Sequence, residues 1–254
     1  MRVGLRYLLR MTDPIYAIGD IHGQLQELQR VLSLIEADGG GDARIVFLGD
    51  YTDRGPDSRG VLELLIEGQR SNRPWTFIKG NHDRMFEWFM RDYPQHEAYL
   101  PVELYWLHRR LGGDTTLESY GVDFGSRNRM LAVHEAARKA VPQAHLEFLK
   151  GLDLCHETDA LFFCHAGIRP GIPLSRQDEE DLLWIRNEFH EYAEPHPKII
   201  VHGHTPVDQA THYGNRINLD SGAGYGQPLT AAVFEGSNCW TLTDKGRNPL
   251  TPES

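Results

Sequence analysis

Aspartate, histidine and asparagine recur in five short glycine-containing motifs, and together they make a donor set for two divalent cations. The motifs read Gly19-Asp20-Ile21-His22-Gly23, Gly49-Asp50-Tyr51-Thr52-Asp53-Arg54-Gly55, Gly80-Asn81-His82-Asp83, Cys164-His165-Ala166-Gly167 and Gly203-His204-Thr205-Pro206. Carboxylate, amide and imidazole donors suit hard-to-borderline divalent metals. Two such ions side by side point to hydrolysis of a phosphate ester, where attacking and leaving oxygens both need their charge neutralised.

Each residue has a reading of its own. Residues two apart in extended chain point the same way, so Asp20 and His22 can face one ion while Ile21 turns to the core. Alone, an Asp-x-His pair is a weak signal. Asp50 offers a carboxylate able to bridge two cations. Arg54 shares that loop, and arginine is the side chain best built to fork two donors onto phosphate. A surface ion pair with Asp53 or Asp57 is its plain alternative. Asn81 gives a neutral oxygen. His82 follows directly, so it diverges from Asn81; it is placed to protonate a leaving alkoxide, with Asp53 holding its ring. A structural histidine in a tight turn is the competing reading. His165 and His204 each end an apolar run, as borderline-metal ligands would. His202 lies two residues before His204. His204 is preferred as ligand because the Gly-His turn carries it past the strand end, leaving His202 beside the site or simply packed.

These residues need elements to hold them. Tyr16 to Ile18, Ile45 to Leu48 and Trp75 to Ile78 are short apolar runs, each leading into a motif. Gln24 to Ala37 carries Leu25, Leu28, Val31, Leu32 and Ile35 at helical spacing. Asp57 or Ser58 caps a second helix through Val61, Leu62, Leu65 and Ile66. Strand, motif and helix recurring three times predict an α/β fold with parallel strands, whose sites gather at the carboxyl ends of strands. The stretch from about 84 to 150 is helical and rich in Phe, Tyr and Trp, with a looser run from Gly112 to Met130. It reads equally as a lid beside the site or as a plain layer over the sheet. Further strands are expected at Ala160–Cys164, Ile199–Val201, Ile217–Leu219, Leu229–Phe234 and Cys239–Leu242, with a helix over Asp178–Phe189. They close a second, mixed sheet. The whole reads as one domain over 14–245 behind a short extension, 1–13.

Bulk properties narrow the function. The chain has 254 residues, enough for one large core. Net charge of -10 argues against a nucleic-acid partner, because no basic field would release counterions. An anionic substrate must be drawn by local charge, which metals supply. Three cysteines, Cys155, Cys164 and Cys239, fit no disulfide framework and suggest reduced thiols in a cytoplasmic protein. No apolar run spans a bilayer, and Met1 to Arg10 has no signal-peptide core.

Taken in order, the motifs resemble those of the calcineurin-like metallophosphoesterases, within them the phosphoprotein-phosphatase branch. The resemblance runs from Tyr16 to about Phe234. It is similar to small bacterial and phage serine/threonine phosphatases down to Leu183-Trp184-Ile185-Arg186 and Leu219-Asp220-Ser221-Gly222-Ala223. It implies a central mixed β-sandwich flanked by helices, a four-layer αββα arrangement with a helical lid. It implies Asp20, His22 and Asp50 on one metal, and Asp50, Asn81, His165 and His204 on the other. Asn81 also faces the substrate phosphate. His82 with Asp53 is the acid, and Arg54 and Arg186 clamp the phosphate, with Arg169 as competitor for the second clamp. Manganese is the expected metal, and iron, zinc or nickel fit the same ligands. The implied reaction is direct attack of a dimetal-bridging hydroxide on phosphorus, without a phosphoenzyme. A phosphorylated protein or a small phosphate ester is the implied substrate, and serine/threonine phosphatase the leading reading.

One residue departs from that pattern. Asp83 stands where the eukaryotic branch usually has Glu, as in diadenosine-tetraphosphate hydrolases of the superfamily; those tend to lack the acid that here is Asp53. A nucleotide-polyphosphate hydrolase is therefore the alternative enzyme, and a binding scaffold of the same fold the non-enzyme alternative. Pro206 after Thr205 interrupts the Gly-His-x-His of cyclic-nucleotide phosphodiesterases.

Overall fold

The computed structural model describes residues 14–125, 129–236 and 238–252. The expected extension, 1–13, lies outside them. Strands β1 (Ile15–Ile18), β2 (Arg44–Phe47) and β3 (Trp75–Phe77) alternate with helices α1 (Leu25–Gly39) and α2 (Ser58–Arg70). Helices α3 (Asn81–Phe89), α4 (Gly113–Ser119), α5 (Met130–Ala140) and α6 (Gln143–Lys150) follow. The second half carries β4 (Cys155–Glu157), β5 (Leu161–Cys164), α7 (Glu179–Trp184), α8 (Asn187–His190), β6 (Ile199–His202), β7 (Thr211–His212) and β8 (Arg216–Asn218). It ends on β9 (Ala231–Glu235), β10 (Asn238–Thr243) and β11 (Gly246–Pro249).

Two mixed sheets form. One has the order β11-β10-β9-β1-β2-β3, the other β4-β5-β6-β8-β7. Strands β1, β2 and β3 are parallel, with Ala17 opposite Val46 and Val46 opposite Thr76; β5, β6 and β8 are parallel in the second sheet. Side chains alternate between faces along each strand. Ala17, Val46, Leu48, Phe163, Val201, Ile217 and Phe234 fill the space between the sheets. Their neighbours Tyr16, Ile18, Ile45 and Phe47 face outward onto Leu28, Val31, Leu62 and Leu65 of α1 and α2. On the far side Phe162, Cys164 and Ile200 pack on Leu182, Ile185 and Phe189. Strands buried on both faces read as unbroken apolar runs, which is why they were visible in the sequence. The outcome is the four-layer αββα sandwich. Among the described residues no helix is long and apolar enough to cross a membrane.

Several elements differ from expectation. The helix expected over Asp178–Phe189 is broken: Ile185 is extended and Arg186 adopts φ −135°, ψ −94°, separating α7 from α8. The break swings the Arg186 side chain out of a helical path and toward the strand ends. Strands β4, β7 and β11 have no apolar run to announce them. Each lies at or near a sheet edge, where side chains face water.

The region 84–150 is chiefly a layer. Phe86, Trp106, Leu117, Tyr120, Val133, Ala137 and Phe148 are buried in the same core as Phe47 and Phe77. Phe86 stacks on Trp106 at 5.1 Å, and Phe148 meets Phe77 edge-on at 5.0 Å. Among the described residues, the run from Tyr99 to Gly112 is the part that reaches the mouth of the site.

Arg84 of α3 ties this layer to the second sheet. It is 1% exposed, with bonds of 2.8 Å to Glu97 and 2.9 Å to Glu180, and its guanidinium lies 4.7 Å from the Trp88 ring. Glu97 is equally buried, whereas Glu180 is partly in water. Arg84→Ala strands the Glu97 charge in the interior, so it should lower unfolding free energy by about 3–5 kcal/mol. Glu180→Gln should cost less than about 1 kcal/mol. Denaturant titration of both variants checks this, and equal losses would refute the keystone role.

Candidate active site

Every parallel strand delivers a polar residue at its carboxyl end: Asp20 after β1, Asp50 after β2, Asn81 after β3, His165 after β5, His204 after β6 and Asp220 after β8. The turns that hold them are strained. His22, Asp50, Asp53, Arg54 and His204 all have positive φ, between 47° and 74°, without being glycine. Such conformations cost roughly 1–3 kcal/mol each and persist where the surroundings fix them. Here the backbone does so: the N–H groups of Ile21 and His22 both donate to Asp50 O, at 3.1 and 2.7 Å. Asp83 adds to this. It is fully buried, and its carboxylate accepts from Gly80 N, Asp50 N and Tyr51 N at 2.8–2.9 Å. Its short reach suits that three-way cap, and it faces no cavity. Asp in place of Glu there therefore reports on turn geometry.

Two glycines are required by closeness alone. A Cβ on Gly80 would lie 2.1 Å from Asp50 Oδ1, and one on Gly203 would lie 1.9 Å from Asp20 Oδ1.

The donor atoms converge in a way that needs positive charge. His165 donates through Nδ1 to Leu48 O at 2.9 Å, so its Nε2 carries a lone pair. That lone pair faces the Asn81 amide oxygen at 2.9 Å, His204 Nδ1 at 3.2 Å and Asp50 Oδ1 at 3.5 Å. His22 repeats the device: Nδ1 donates to Thr52 O at 2.9 Å, so Nε2 carries the lone pair, 3.4 Å from Asp50 Oδ2 and within reach of Arg54. Acceptors facing acceptors in a dry site repel, unless a cation lies among them. A backbone carbonyl fixing each imidazole is also how metal-binding histidines are oriented.

Titration points the same way. Burial pushes Asp20 well above the usual carboxylate range, and Asp220 and Asp50 add to the rise. Burial takes Asp50 up to about 7, and His165 down to about 4. His204 and His22 are held neutral mainly by burial, too. Deprotonated carboxylates and neutral imidazoles are what a divalent ion binds, and its charge would offset the desolvation. The residues therefore fit metal ions. Donors of His22, Asp50 and His82 lie within 4.8 Å of one another, as do those of Asp20, Asp50 and His165. Asp50 belongs to both groups. Gly203 lets the β6 turn close on Asp20, and His204 N donates to both its oxygens.

Beside this cluster stands a second arrangement. His82 Nδ1 lies 2.6 Å from Asp53 Oδ2. Asp53 also accepts from Trp106 Nε1 at 2.8 Å and Thr116 Oγ1 at 2.7 Å. Burial raises the Asp53 carboxyl and lowers the His82 ring, the latter with help from the Arg54 cation. Arg54 reaches His22 Nε2 at 2.5 Å and His82 Nε2 at 3.1 Å, so its guanidinium supplies positive charge where two lone pairs converge.

A cavity of about 400 Å³ opens over these groups, lined by Asp50, Arg54, Asn81, His82, Arg186 and His204, with Tyr99 and Trp184 at its mouth. Tyr99 stacks on Trp184 at 5.7 Å. Arg186 donates to Thr205 Oγ1 at 2.9 Å and faces this cavity. Arg169 does not; it is engaged by Asp181 at the surface. His202 is packed away from the donors, its Nδ1 bonded to Gly203 O and its ring against Phe189 and His190.

Sequence reasoning missed several members. Asp220 is buried and follows β8 as Asp20 follows β1; a strand end before Ser-Gly was the available signal. Trp106 and Thr116, which orient Asp53, lie over fifty residues away from it and gave none.

The calcineurin-like phosphoesterase family model matches residues 13–223. Among curated proteins, a bis(5′-nucleosyl)-tetraphosphatase PrpE (asymmetrical) of Bacillus thuringiensis (strain Al Hakam) is 27% identical over 261 residues, 93% of this chain and 96% of the relative. The protein of the same description from Bacillus mycoides (strain KBAB4) is 27% identical over 265 residues, at the same coverage. A solved structure of a candidate diadenosine tetraphosphatase superposes with TM-score 0.61 at 22% identity, covering 93% of this chain and 94% of that one. A cold-active protein-tyrosine phosphatase of a psychrophilic Shewanella superposes with TM-score 0.60 at 15% identity, covering 94% and 81%; at these identities the likeness is one of fold. The matched span takes in every donor named above, and the chain belongs to the calcineurin-like phosphoesterase family.

Proposed function

We propose that this metallophosphoesterase hydrolyses a bis(5′-nucleosyl) tetraphosphate to unequal nucleotides, in the cytoplasm. The observation that carries the reading is end-to-end likeness: the tetraphosphatase relatives are covered over 96% of their length. This favours the nucleotide alternative over the phosphoserine or phosphothreonine reading of the sequence.

In this reading Asp20, His22, Asp50, Asn81, His165 and His204 hold two divalent cations; manganese, iron, zinc and nickel all suit the set. When bound, such ions acidify water and neutralise charge on the transferring phosphoryl group. The chain's own residues do the rest. Arg54 from the β2–α2 loop and Arg186 from the α7–α8 break converge on the cavity and fork onto phosphate oxygens. As Arg54 turns to the phosphate, it leaves His82 Nε2 free to carry a proton. The Asp53 carboxylate holds Nδ1–H, so the proton to be given away sits on Nε2, facing the cavity. Trp106 and Thr116 keep Asp53 from rotating. Asn81 meets the phosphate from the α3 end.

Three outcomes are expected. Metal-reconstituted protein should turn over diadenosine tetraphosphate with kcat/KM at least about 100-fold above that for a phosphoserine peptide, a gap of roughly 2.7 kcal/mol; the reverse order would overturn the substrate class. His82→Asn should cost about 10²–10⁴-fold in kcat on an alkyl phosphate. Its effect on p-nitrophenyl phosphate or a phosphoanhydride should be smaller, because those leaving groups need a proton less. Equal losses across the series would remove His82 from the acid role. Asp20→Asn should reduce both bound metal, read by elemental analysis, and turnover; full metal content with full activity would contradict its place among the ligands.

A further inference from the structure

A second cavity joins the first at Arg54. It is an open groove of about 1270 Å³, far larger than the catalytic cavity, and Tyr105, His108, Arg109, Arg110 and Tyr225 line it along with Arg54. Both arginines are exposed, and neither forms an ion pair among the described residues. Unpaired cations side by side stand out on a chain of net charge -10. Tyr105 and Tyr225 are 42% and 62% exposed, so two aromatic rings face solvent at the same place. Tyr225 lies against the Arg54 guanidinium at 4.8 Å.

The wall is fixed to the catalytic residues. Arg54 N donates to Gly112 O at 3.2 Å, and Gly112 approaches so closely that a Cβ there would lie 2.2 Å from Arg54 N. Trp106, next to Tyr105, is bonded to Asp53. Within the run, Leu111 N donates to His108 O and His108 N to Tyr105 O. Arg109 and Arg110 are therefore carried on a turn anchored at both ends to the Asp53–Arg54 loop.

Resting on the proposed function, we propose that this groove is the subsite for the part of a dinucleoside polyphosphate that lies beyond the scissile bond. Arg109 and Arg110 take its distal phosphates. Tyr105 and Tyr225 offer ring faces to the second nucleobase, since every base has a π-face to stack. Asp114 and Glu118, which also line the groove, suit ribose hydroxyls. A phosphomonoester ends at the metal cluster and uses none of this. Arg54, shared by both cavities, sits where the polyphosphate chain passes from one to the other.

The test compares substrates on one variant. Arg109→Glu/Arg110→Glu should lower the ratio of kcat/KM for diadenosine tetraphosphate to that for p-nitrophenyl phosphate by about a hundredfold, about tenfold per reversed charge, mostly through KM. Arg109→Lys/Arg110→Lys should restore most of the ratio. A ratio equal to that of the wild type would overturn the subsite while leaving the proposed function standing. A larger fall for an acidic phosphoserine peptide than for the dinucleotide would assign the groove to peptides and overturn it as well. Wild-type protein that does not cleave the dinucleotide at all would overturn both readings.

Discussion

The lone pair of His165 Nε2 faces the Asn81 amide oxygen at 2.9 Å where the carboxyl ends of two sheets meet, and positive charge makes that arrangement favourable. Much else near the site follows from this demand. His165 and His22 spend their other ring nitrogen on a backbone carbonyl, which fixes Nε2 inward. Gly80 and Gly203 have no side chain because a carboxylate occupies the space. Five residues hold left-handed backbone conformations that the surrounding hydrogen bonds impose. Asp83 is buried to cap the turns that carry Asp50 and Asn81. The core supplies the rigidity: strands buried on both faces have no freedom to let the donors drift apart.

Charge is arranged at two scales. The chain as a whole is acidic, so it has no general attraction for polyanions. Divalent ions held at the strand-end site would invert that sign locally. Arg54 and Arg186 approach from the β2–α2 loop and the α7–α8 break, and divalent ions fit the donors between them. Arg54 holds a pivotal place. It touches His22 and His82, lies against Tyr225, and is shared by the catalytic cavity and the larger groove. One side chain thus links the cluster of lone pairs, the His82–Asp53 pair and the wall of the larger groove.

The helical layer between β3 and β4 has two duties. Most of it is core, with Phe86, Trp106 and Phe148 stacked against the first sheet. A short run of it, from Tyr99 to Gly112, faces the site and brings Trp106 to Asp53. The partner of Asp53 and the wall of the larger groove therefore come from the same turn.

By itself the sequence determined the layers and the donors. Apolar runs such as Ile45 to Leu48 are long enough and pure enough to be buried strands, and polar residues following them must lie at strand ends. Local pattern carries that information because period and termination are properties of neighbouring residues. What tertiary structure alone decided involves residues far apart in the chain. The β6 turn closes on Asp20, and Arg186 rather than Arg169 reaches the cavity because a helix expected to be continuous breaks before it. Asp53 finds Trp106 and Thr116 more than fifty residues away. Edge strands β4, β7 and β11 had no apolar run to mark them. These outcomes depend on packing between elements, where the best contact for one side chain is set by surfaces that no local run of residues encodes.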